Sequence, residues 1–265
     1  MAIINIRNLS FKYHNKKMFE NFKLEIQKNK IISIIGPNSC GKTTLVKILV
    51  GLLPYNGAVD ICTLPLIKKN IKDIRKKIGI VFSENQFVAE TVMDEIAFTL
   101  ENMNYKKQDI GNKIEEISKY LGIYDILEHN PHDLNCNQKQ LVSIASALTH
   151  EPEILILDDA LVMLDPKEKE KILDILKELK KKGITIVNIT HDIEDTLISD
   201  EIIVMNEGKI VLKGSRDLIY QEEKTLINLG FKLPFMVELS NRLIFYNLID
   251  HVIYDMKEMV HEVWK

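Results

Sequence analysis

The sequence predicts an α/β protein, because short apolar runs alternate with helical patterns along much of its 265 residues. Four runs, at 31–35, 78–82, 154–157 and 184–189, are apolar almost throughout. Runs of this kind are typical of parallel strands that are covered on both faces. We therefore expect a parallel sheet at the centre of the fold.

The segments around these runs have other patterns. Residues 3–8 and 22–26 alternate apolar and polar side chains, which predicts an N-terminal antiparallel β-subdomain. Residues from about 91 to 148 predict a helical insertion between two strands of the sheet. Residues 167–183 predict an amphipathic helix, and a hairpin that turns near Gly208 follows.

The α/β alternation ends near residue 220. We therefore expect a nucleotide-binding domain over 1–219 and a small helical or mixed domain over 220–265 that serves dimerisation.

Composition excludes several function classes. The net charge of −3 gives no basic footprint for nucleic acid. Three widely spaced cysteines do not predict a disulfide framework, which fits a reducing compartment. The N-terminus has no signal-peptide pattern, and no apolar run approaches the ~20 residues that span a bilayer. Any role at a membrane must then come through a partner.

Residues 36–43 have the spacing G-x-x-x-x-G-K-[ST], between a predicted strand and a predicted helix. In such a loop backbone N–H groups cradle phosphates, Lys42 reaches the terminal phosphates and the Thr43 hydroxyl ligates Mg²⁺. An ordinary strand–turn–helix is the alternative. The predicted ATP-binding residues of the loop are Gly36, Pro37, Asn38, Ser39, Cys40, Gly41, Lys42, Thr43 and Thr44.

Two residues of this loop are unusual, since many such loops have glycine in place of Ser39 and serine in place of Cys40. We interpret both as tolerated variants. A redox-sensing role for Cys40 stays open, because a helix N-terminus lowers the pKa of a thiol.

Two carboxylates follow the third apolar run. Asp158 is placed to hold Mg²⁺ through water, and Asp159 to orient or deprotonate an attacking water. His191 ends the fourth run, where it is either structural or a contact for a γ-phosphate. Asp165 precedes Pro166 and a helix, so that N-capping explains it, alone or together with a functional role.

With these motifs in this order, residues 1–218 resemble an ATP-binding-cassette (ABC) ATPase. The resemblance implies that Tyr13 stacks on adenine and that Lys42, Asp159 and His191 are catalytic. It also implies that the signature and the D-loop face the nucleotide of a partner subunit. The signature residues are Asn135, Cys136, Asn137 and Gln138, and the D-loop residue is Asp165.

Segments 84–102, 131–166 and 229–243 resemble the ATPase subunits of energy-coupling factor (ECF) transporters, which import vitamins and metal ions. The resemblance implies a second, non-identical ABC ATPase, a transmembrane coupling protein and a separate membrane subunit that binds the substrate. The chain would then be peripheral, at the cytoplasmic face of the membrane.

Three departures from the family pattern weaken the expected site. Cys136 and Asn137 replace the signature glycines, where the backbone would approach a phosphate closely. Asp159 replaces a glutamate that is one methylene longer. Ser83, a weaker candidate for Mg²⁺ or water, replaces a glutamine, and Gln86 lies nearby.

The sequence therefore leaves three functions open. They are a motor subunit of an ECF-type importer, a nucleotide-binding but nearly inactive partner of another ATPase, and an ABC ATPase without a membrane partner. A metal site at His129, His132 and Cys136 is a further alternative, although a loop leading into a helix explains that stretch.

Overall fold

The protein folds around two sheets, as described by a computed structural model of residues 1–14 and 16–263. A four-stranded antiparallel sheet has the order β2-β1-β4-β5, and a six-stranded sheet has the order β10-β9-β3-β8-β7-β6. The strands are β1 (Ala2–Tyr13), β2 (Lys16–Gln27), β3 (Ile31–Ile35), β4 (Asn56–Ile61), β5 (Leu64–Pro65), β6 (Ile78–Phe82), β7 (Ile154–Asp158), β8 (Thr185–Thr190), β9 (Glu201–Asn206) and β10 (Lys209–Gly214).

Helices cover the large sheet and fill the connections between its strands. They are α1 (Lys42–Leu49), α2 (Ile71–Arg75), α3 (Val92–Asn102), α4 (Lys107–Leu121), α5 (Cys136–Leu148), α6 (Pro166–Lys181), α7 (Arg216–Gln221), α8 (Glu223–Asn228), α9 (Phe235–Phe245) and α10 (Met256–Val263).

The predicted parallel core is confirmed. The four apolar runs form β3, β6, β7 and β8, which pair in parallel, and β9 adds a fifth parallel strand beside β3. Among the described strands of this sheet, β10 alone runs antiparallel, in the predicted hairpin with β9. Because parallel strands share one direction, the residues that follow β3, β7 and β8 meet at one edge of the sheet, where ligands of open α/β sheets bind.

Both faces of the large sheet are buried. On one face, side chains such as Ile34, Ile156 and Val187 pack with α1 and the antiparallel sheet. On the other, Leu155 and Ile186 pack with α3 to α6. The predicted helical insertion lies between β6 and β7, and it contains α3, α4 and α5.

The tail is helical and packs on the sheet. Leu226, Phe231 and Val237 share one apolar cluster with Ile35 and Ile202 of β3 and β9. The expected boundary between residues 219 and 220 falls inside α7, so the chain has no linker at that position. Residues 264–265 of the expected tail domain lie outside the described residues.

None of the helices in the described part of the chain combines the length and the hydropathy that crossing a bilayer requires.

Candidate active site

The loop between β3 and α1 provides an anion site made of backbone. All five residues of β3 are buried, and α1 begins at Lys42 with Gly41 as its N-cap. Gly41 has φ 113°, a conformation that favours glycine. Since glycine has no capping side chain, the N–H groups in the first turn of α1 are free for an anion, which the helix dipole also favours.

Close packing requires glycine at the first position of this loop as well. A Cβ on Gly36 would lie 2.2 Å from the carbonyl oxygen of Met205 in β9. Ser39, in contrast, has φ 62°, which places a non-glycine residue in the left-handed region. Loops of this kind usually have glycine at this position because glycine adopts the left-handed backbone without strain. Serine at this position carries some backbone strain.

Lys42 and Cys40 are both buried in the loop. The Lys42 ammonium donates to the carbonyl oxygens of Gly36, at 2.7 Å, and Pro37, at 3.1 Å, and the residue is 6% exposed. Burial raises the pKa of the Cys40 thiol, against the opposing charge of Lys42. A raised thiol pKa keeps Cys40 protonated at neutral pH, which argues against the redox-sensing alternative.

Thr43 and Asp158 form an oxygen pair beside the loop. The Thr43 hydroxyl donates to Oδ1 of Asp158 at 3.2 Å, and Asp158 is 3% exposed. Burial raises the pKa of the Asp158 carboxyl to about 6, with the hydrogen bond from Thr43 acting in the opposite direction. A buried carboxylate with a hydroxyl beside it fits Mg²⁺, which prefers oxygen ligands and is commonly held by one or two carboxylates together with phosphates. Bound there, Mg²⁺ would neutralise charge that develops on the phosphates.

Asp159 and His191 are in contact. Oδ1 of Asp159 lies 3.0 Å from Nδ1 of His191, and both side chains are partly exposed. Asp159 has φ 52°, and its backbone N–H donates to the carbonyl oxygen of Ile189 at 2.9 Å. The left-handed backbone turns the chain sharply after β7, and aspartate tolerates this conformation better than most residues.

Sequence reasoning missed the network that holds the segment after β8. Lys169 on α6 forms ion pairs with Asp192, at 2.7 Å, and with the buried Asp195. The Thr190 hydroxyl donates to Oδ2 of Asp195 at 2.8 Å. These contacts fix the chain on both sides of His191, although nothing in their spacing along the sequence indicates them.

Tyr13, expected at the adenine, stands beside the phosphate loop. Its hydroxyl lies 3.4 Å from Oγ1 of Thr44, and the residue is 41% exposed. Its ring packs edge-on against Phe11, with 4.8 Å between the ring centroids. An exposed aromatic ring at this position can stack on a base.

A cleft of ≈810 Å³ opens beside Asp158 and Thr43, and both Ser83 and Gln86 line it. Asn85, which sequence reasoning did not single out, anchors the segment between β6 and α3. Its amide donates to Oε1 of Gln140 at 3.2 Å, and its carbonyl oxygen accepts from the Ser143 hydroxyl at 2.6 Å. The segment after β6 is thereby attached to α5.

The signature residues lie at the start of α5. Asn135 is the N-cap and forms a capping box with Gln138, while Cys136 and Asn137 belong to the first turn. Cys136 is exposed. Within residues 1–14 and 16–263, no three His, Cys, Asp or Glu side chains are grouped so as to hold a metal ion, so the alternative metal site near Cys136 gains no support.

Asn137 and Asp165, 28 positions apart in the sequence, are hydrogen-bonded. The Asn137 amide donates to Oδ2 of Asp165, and the backbone N–H of Asp165 donates to Oδ1 of Asn137 at 3.3 Å. Asp165 also caps α6, because its Oδ1 accepts from the backbone N–H of Glu168 at 3.0 Å. The predicted N-cap is thus observed, together with a contact to the signature.

This fold and this loop define a P-loop nucleotide-binding protein, with a loop that suits an anion, an oxygen pair that fits Mg²⁺ and an acid–histidine pair at one edge of a parallel sheet. The sequence profile described as ABC transporter matches residues 19–162. The chain belongs to the ABC transporter family. As an ATPase of this family, it binds ATP together with Mg²⁺.

Curated relatives match nearly the whole chain. The energy-coupling factor transporter ATP-binding protein EcfA of Pediococcus pentosaceus is 37% identical, over 99% of this chain and 96% of the relative. EcfA1 of Mycoplasmopsis synoviae is 39% identical, over 91% of this chain and 93% of the relative.

Solved structures agree. CbiO1 of Clostridium perfringens, part of the ABC transporter complex cbiONQ, superposes with a TM-score of 0.77 at 29% identity, over 91% of this chain and 99% of that chain. The ATP-binding cassette MJ0796, in a dimeric post-hydrolysis state bound to ADP and Pi, gives a TM-score of 0.73 at 27% identity, over 80% of this chain and 98% of that chain. The predicted cassette fold is confirmed.

Proposed function

We propose that this chain is the ATP-binding and ATP-hydrolysing subunit of an ECF-type importer, which powers the uptake of a vitamin or metal ion through membrane partners. The observation that carries the proposal is the similarity to ECF ATP-binding proteins over nearly the whole chain, tail included. A peripheral position at the cytoplasmic face of the membrane follows for a subunit that consumes ATP on behalf of a transporter.

Each residue of the site has a role in this proposal. The loop from Gly36 to Thr44 holds the phosphates of ATP, Lys42 places its charge against the terminal ones, and Tyr13 stacks on the base. Thr43 and Asp158 hold Mg²⁺, and Ser83 is a weaker candidate ligand. Asp159 and His191 act at the γ-phosphate, where the carboxylate orients or deprotonates water and the imidazole contacts the phosphate.

The chain works in a pair of ATPases. Asn135, Cys136, Asn137, Gln138 and Asp165 face a nucleotide that the partner's phosphate loop holds. The exposed side chains of Val162 and Met163, in the segment before Asp165, support a protein contact at this edge. The site that this chain's own phosphate loop begins would be completed by a glycine signature. Since this chain has no such signature, the partner is non-identical.

Further partners are a transmembrane coupling protein and a separate membrane subunit that binds the transported substrate. The tail from 220 to 265 contributes to dimerisation, and large exposed apolar side chains on its described part support this role. They are Phe235, Phe245, Tyr246, Leu248, Met256 and Val260.

A second candidate function is a nucleotide-binding partner that contributes little hydrolysis. The short acid Asp159, the short Ser83 and the glycine-free signature favour it, while the Asp158–Thr43 pair and the buried Lys42 argue that nucleotide binding is retained. An ABC ATPase without a membrane partner has no specific observation in its favour.

The test is co-purification from cells that also express a second cassette ATPase and a multi-helix membrane protein encoded next to this chain. We expect a detergent-stable complex whose ATP turnover exceeds that of the lone chain, with Lys42→Ala in this subunit as the control for its own nucleotide site. The lone chain should show little turnover. Robust hydrolysis by a strictly monomeric chain that joins no complex would overturn the proposal.

A further inference from the structure

The contact between Asn137 and Asp165 exists because this chain has a side chain where the family signature has glycine. Asn137 makes two hydrogen bonds to Asp165, one to the carboxylate and one from the backbone N–H. Glycine at position 137 could make neither. The backbone does not demand glycine there, since Asn137 is the second residue of an α-helix.

Both ends of this contact are anchored. At one end, the capping box between Asn135 and Gln138 fixes the first turn of α5. At the other, Asp165 divides its two carboxylate oxygens, because Oδ1 caps α6 through Glu168 while Oδ2 accepts from Asn137. The N-termini of α5 and α6 are therefore joined through one carboxylate.

The segment that ends at Asp165 begins at the candidate catalytic acid, Asp159. Residues 159–165 connect β7 to α6, with Asp159 at one end and Asp165 at the other. Asp159 is held by its contact with His191 and by the hydrogen bond from its N–H to Ile189. A displacement of Asp165 thus has a short, packed path to Asp159, on which Ala160, Leu161 and Leu164 are buried.

We propose that Asn137 is a positioning residue that clasps the D-loop to the signature within one chain. Closure of the signature on the partner's nucleotide then moves Asp165 and, through residues 160–164, the acid of this chain's own site. The clasp thus couples the two composite sites of the pair, and this role rests on the proposed function. Asn137 therefore replaces a signature glycine and at the same time adds a contact to Asp165.

The test exchanges the two side chains. In Asn137→Asp, two carboxylates face each other and repel. In Asp165→Asn, the single side-chain oxygen of asparagine still serves as the N-cap of α6. Its NH₂ group then faces the NH₂ group of Asn137, and neither of these groups can accept a hydrogen bond. The double variant Asn137→Asp with Asp165→Asn restores a carboxylate opposite an amide, with the direction of donation reversed.

Hydrogen–deuterium exchange on the lone full-length chain gives the first readout. We expect amides of residues 160–165 to exchange about two- to tenfold faster in each single variant, as for the loss of an ordinary hydrogen bond, and at the parent rate in the double variant. The urea midpoint of global unfolding should fall only slightly in each single variant and recover in the double variant, because one ordinary hydrogen bond contributes little beside the whole fold. Parent-like exchange in both single variants, or no recovery in the double variant, would overturn the clasp.

Turnover of the purified ATPase pair gives the second readout. We expect kcat to fall in both single variants, with KM for ATP changed less, because the phosphate loop is untouched. The double variant should turn over faster than Asn137→Asp alone, although more slowly than the parent, because a carboxylate at position 137 still faces the partner's nucleotide. A double variant that turns over no faster than Asn137→Asp alone overturns the positioning role. If the chain forms no active pair, the proposed function fails by itself, and the exchange experiment still decides whether the clasp exists.

Discussion

The carboxylate of Asp159 lies 3.0 Å from Nδ1 of His191, so the acid that follows β7 and the histidine that follows β8 are already in contact within one chain. The contact holds the carboxylate in one orientation, and the Lys169 network fixes the backbone around His191 from the other side.

The first prediction is that Asp159 and His191 act as a unit. We expect Asp159→Asn and His191→Ala each to slow single-turnover hydrolysis in the pair by about 10²- to 10⁴-fold, as for loss of a general base. The double variant should be about as slow as the slower single variant, because residues that act together are not additive. His132→Ala, at an exposed histidine outside the site, is the control. Losses that multiply would show that the two residues act independently.

The second prediction concerns the length of the acid. Asp159→Glu adds the methylene that the family pattern has, and turnover should rise if the position of the base limits the rate. The left-handed backbone, φ 52°, opposes this gain, because glutamate tolerates that region less well than aspartate. We therefore expect a modest rise in kcat together with a small fall in the urea midpoint. Unchanged kcat would mean that the shorter acid is already well placed.

The third prediction separates the two signature substitutions. Cys136 is exposed, and the side chains of the capping box and of the contact to Asp165 belong to other residues, so that Cys136→Gly removes a side chain from the surface that should meet a phosphate. Turnover by the pair should rise, and by more than for Asp159→Glu. Asn137→Gly also breaks the clasp, and it should give a smaller gain or a loss. Equal effects of the two glycines on kcat would contradict this distinction.

The fourth prediction tests the phosphate loop. Lys42→Ala removes a cation whose charged hydrogen bonds contribute roughly 1.5–3 kcal/mol, so affinity for a fluorescent ATP analogue should fall about 10- to 150-fold. Lys72→Ala, at an exposed lysine of α2, is the control and should bind nearly as the parent does. Circular dichroism checks that the loop variant is folded. Unchanged affinity in folded Lys42→Ala would contradict the role of this lysine.

The fifth prediction concerns pH. His150 follows α5 and is 6% exposed. Burial lowers the pKa of its imidazole, and the nearby charge of Lys113 lowers it further, while a backbone hydrogen bond at Ile78 acts to raise it. Its folded pKa is below the unfolded value, so the unfolded state binds the proton more readily. The contribution of His150 to the free energy of unfolding is then fully present above about pH 6.5 and is lost as pH falls through the folded pKa.

Urea unfolding of the parent and of His150→Met between pH 5 and pH 8 measures this effect. We expect the free energy of unfolding of the parent to fall more steeply below pH 6.5 than that of the variant. Parallel curves would show that His150 does not titrate differently in the folded and unfolded states.

The sequence alone determined which segments form the parallel strands and the identity of the phosphate loop. The apolar runs at 31–35 and 78–82 match β3 and β6 in length and position, and the helix after Asp165 begins with the predicted cap and proline. Such features are local, because burial pattern, capping and glycine spacing act over a few residues. The expected boundary between residues 219 and 220 stays a prediction; in the structure α7 continues through it, and the tail packs on β3 and β9.

Only the tertiary structure decided which distant side chains meet. Asp159 reaches His191, Asn137 reaches Asp165 and Asn85 reaches Gln140 across 32, 28 and 55 positions. These contacts depend on the order β8-β7-β6 and on the left-handed backbone at Asp159, neither of which has a local signature. Hydrogen bonds require alignment within a few tenths of an ångström, and that alignment is set by the packing of whole elements and not by the spacing of residues along the chain.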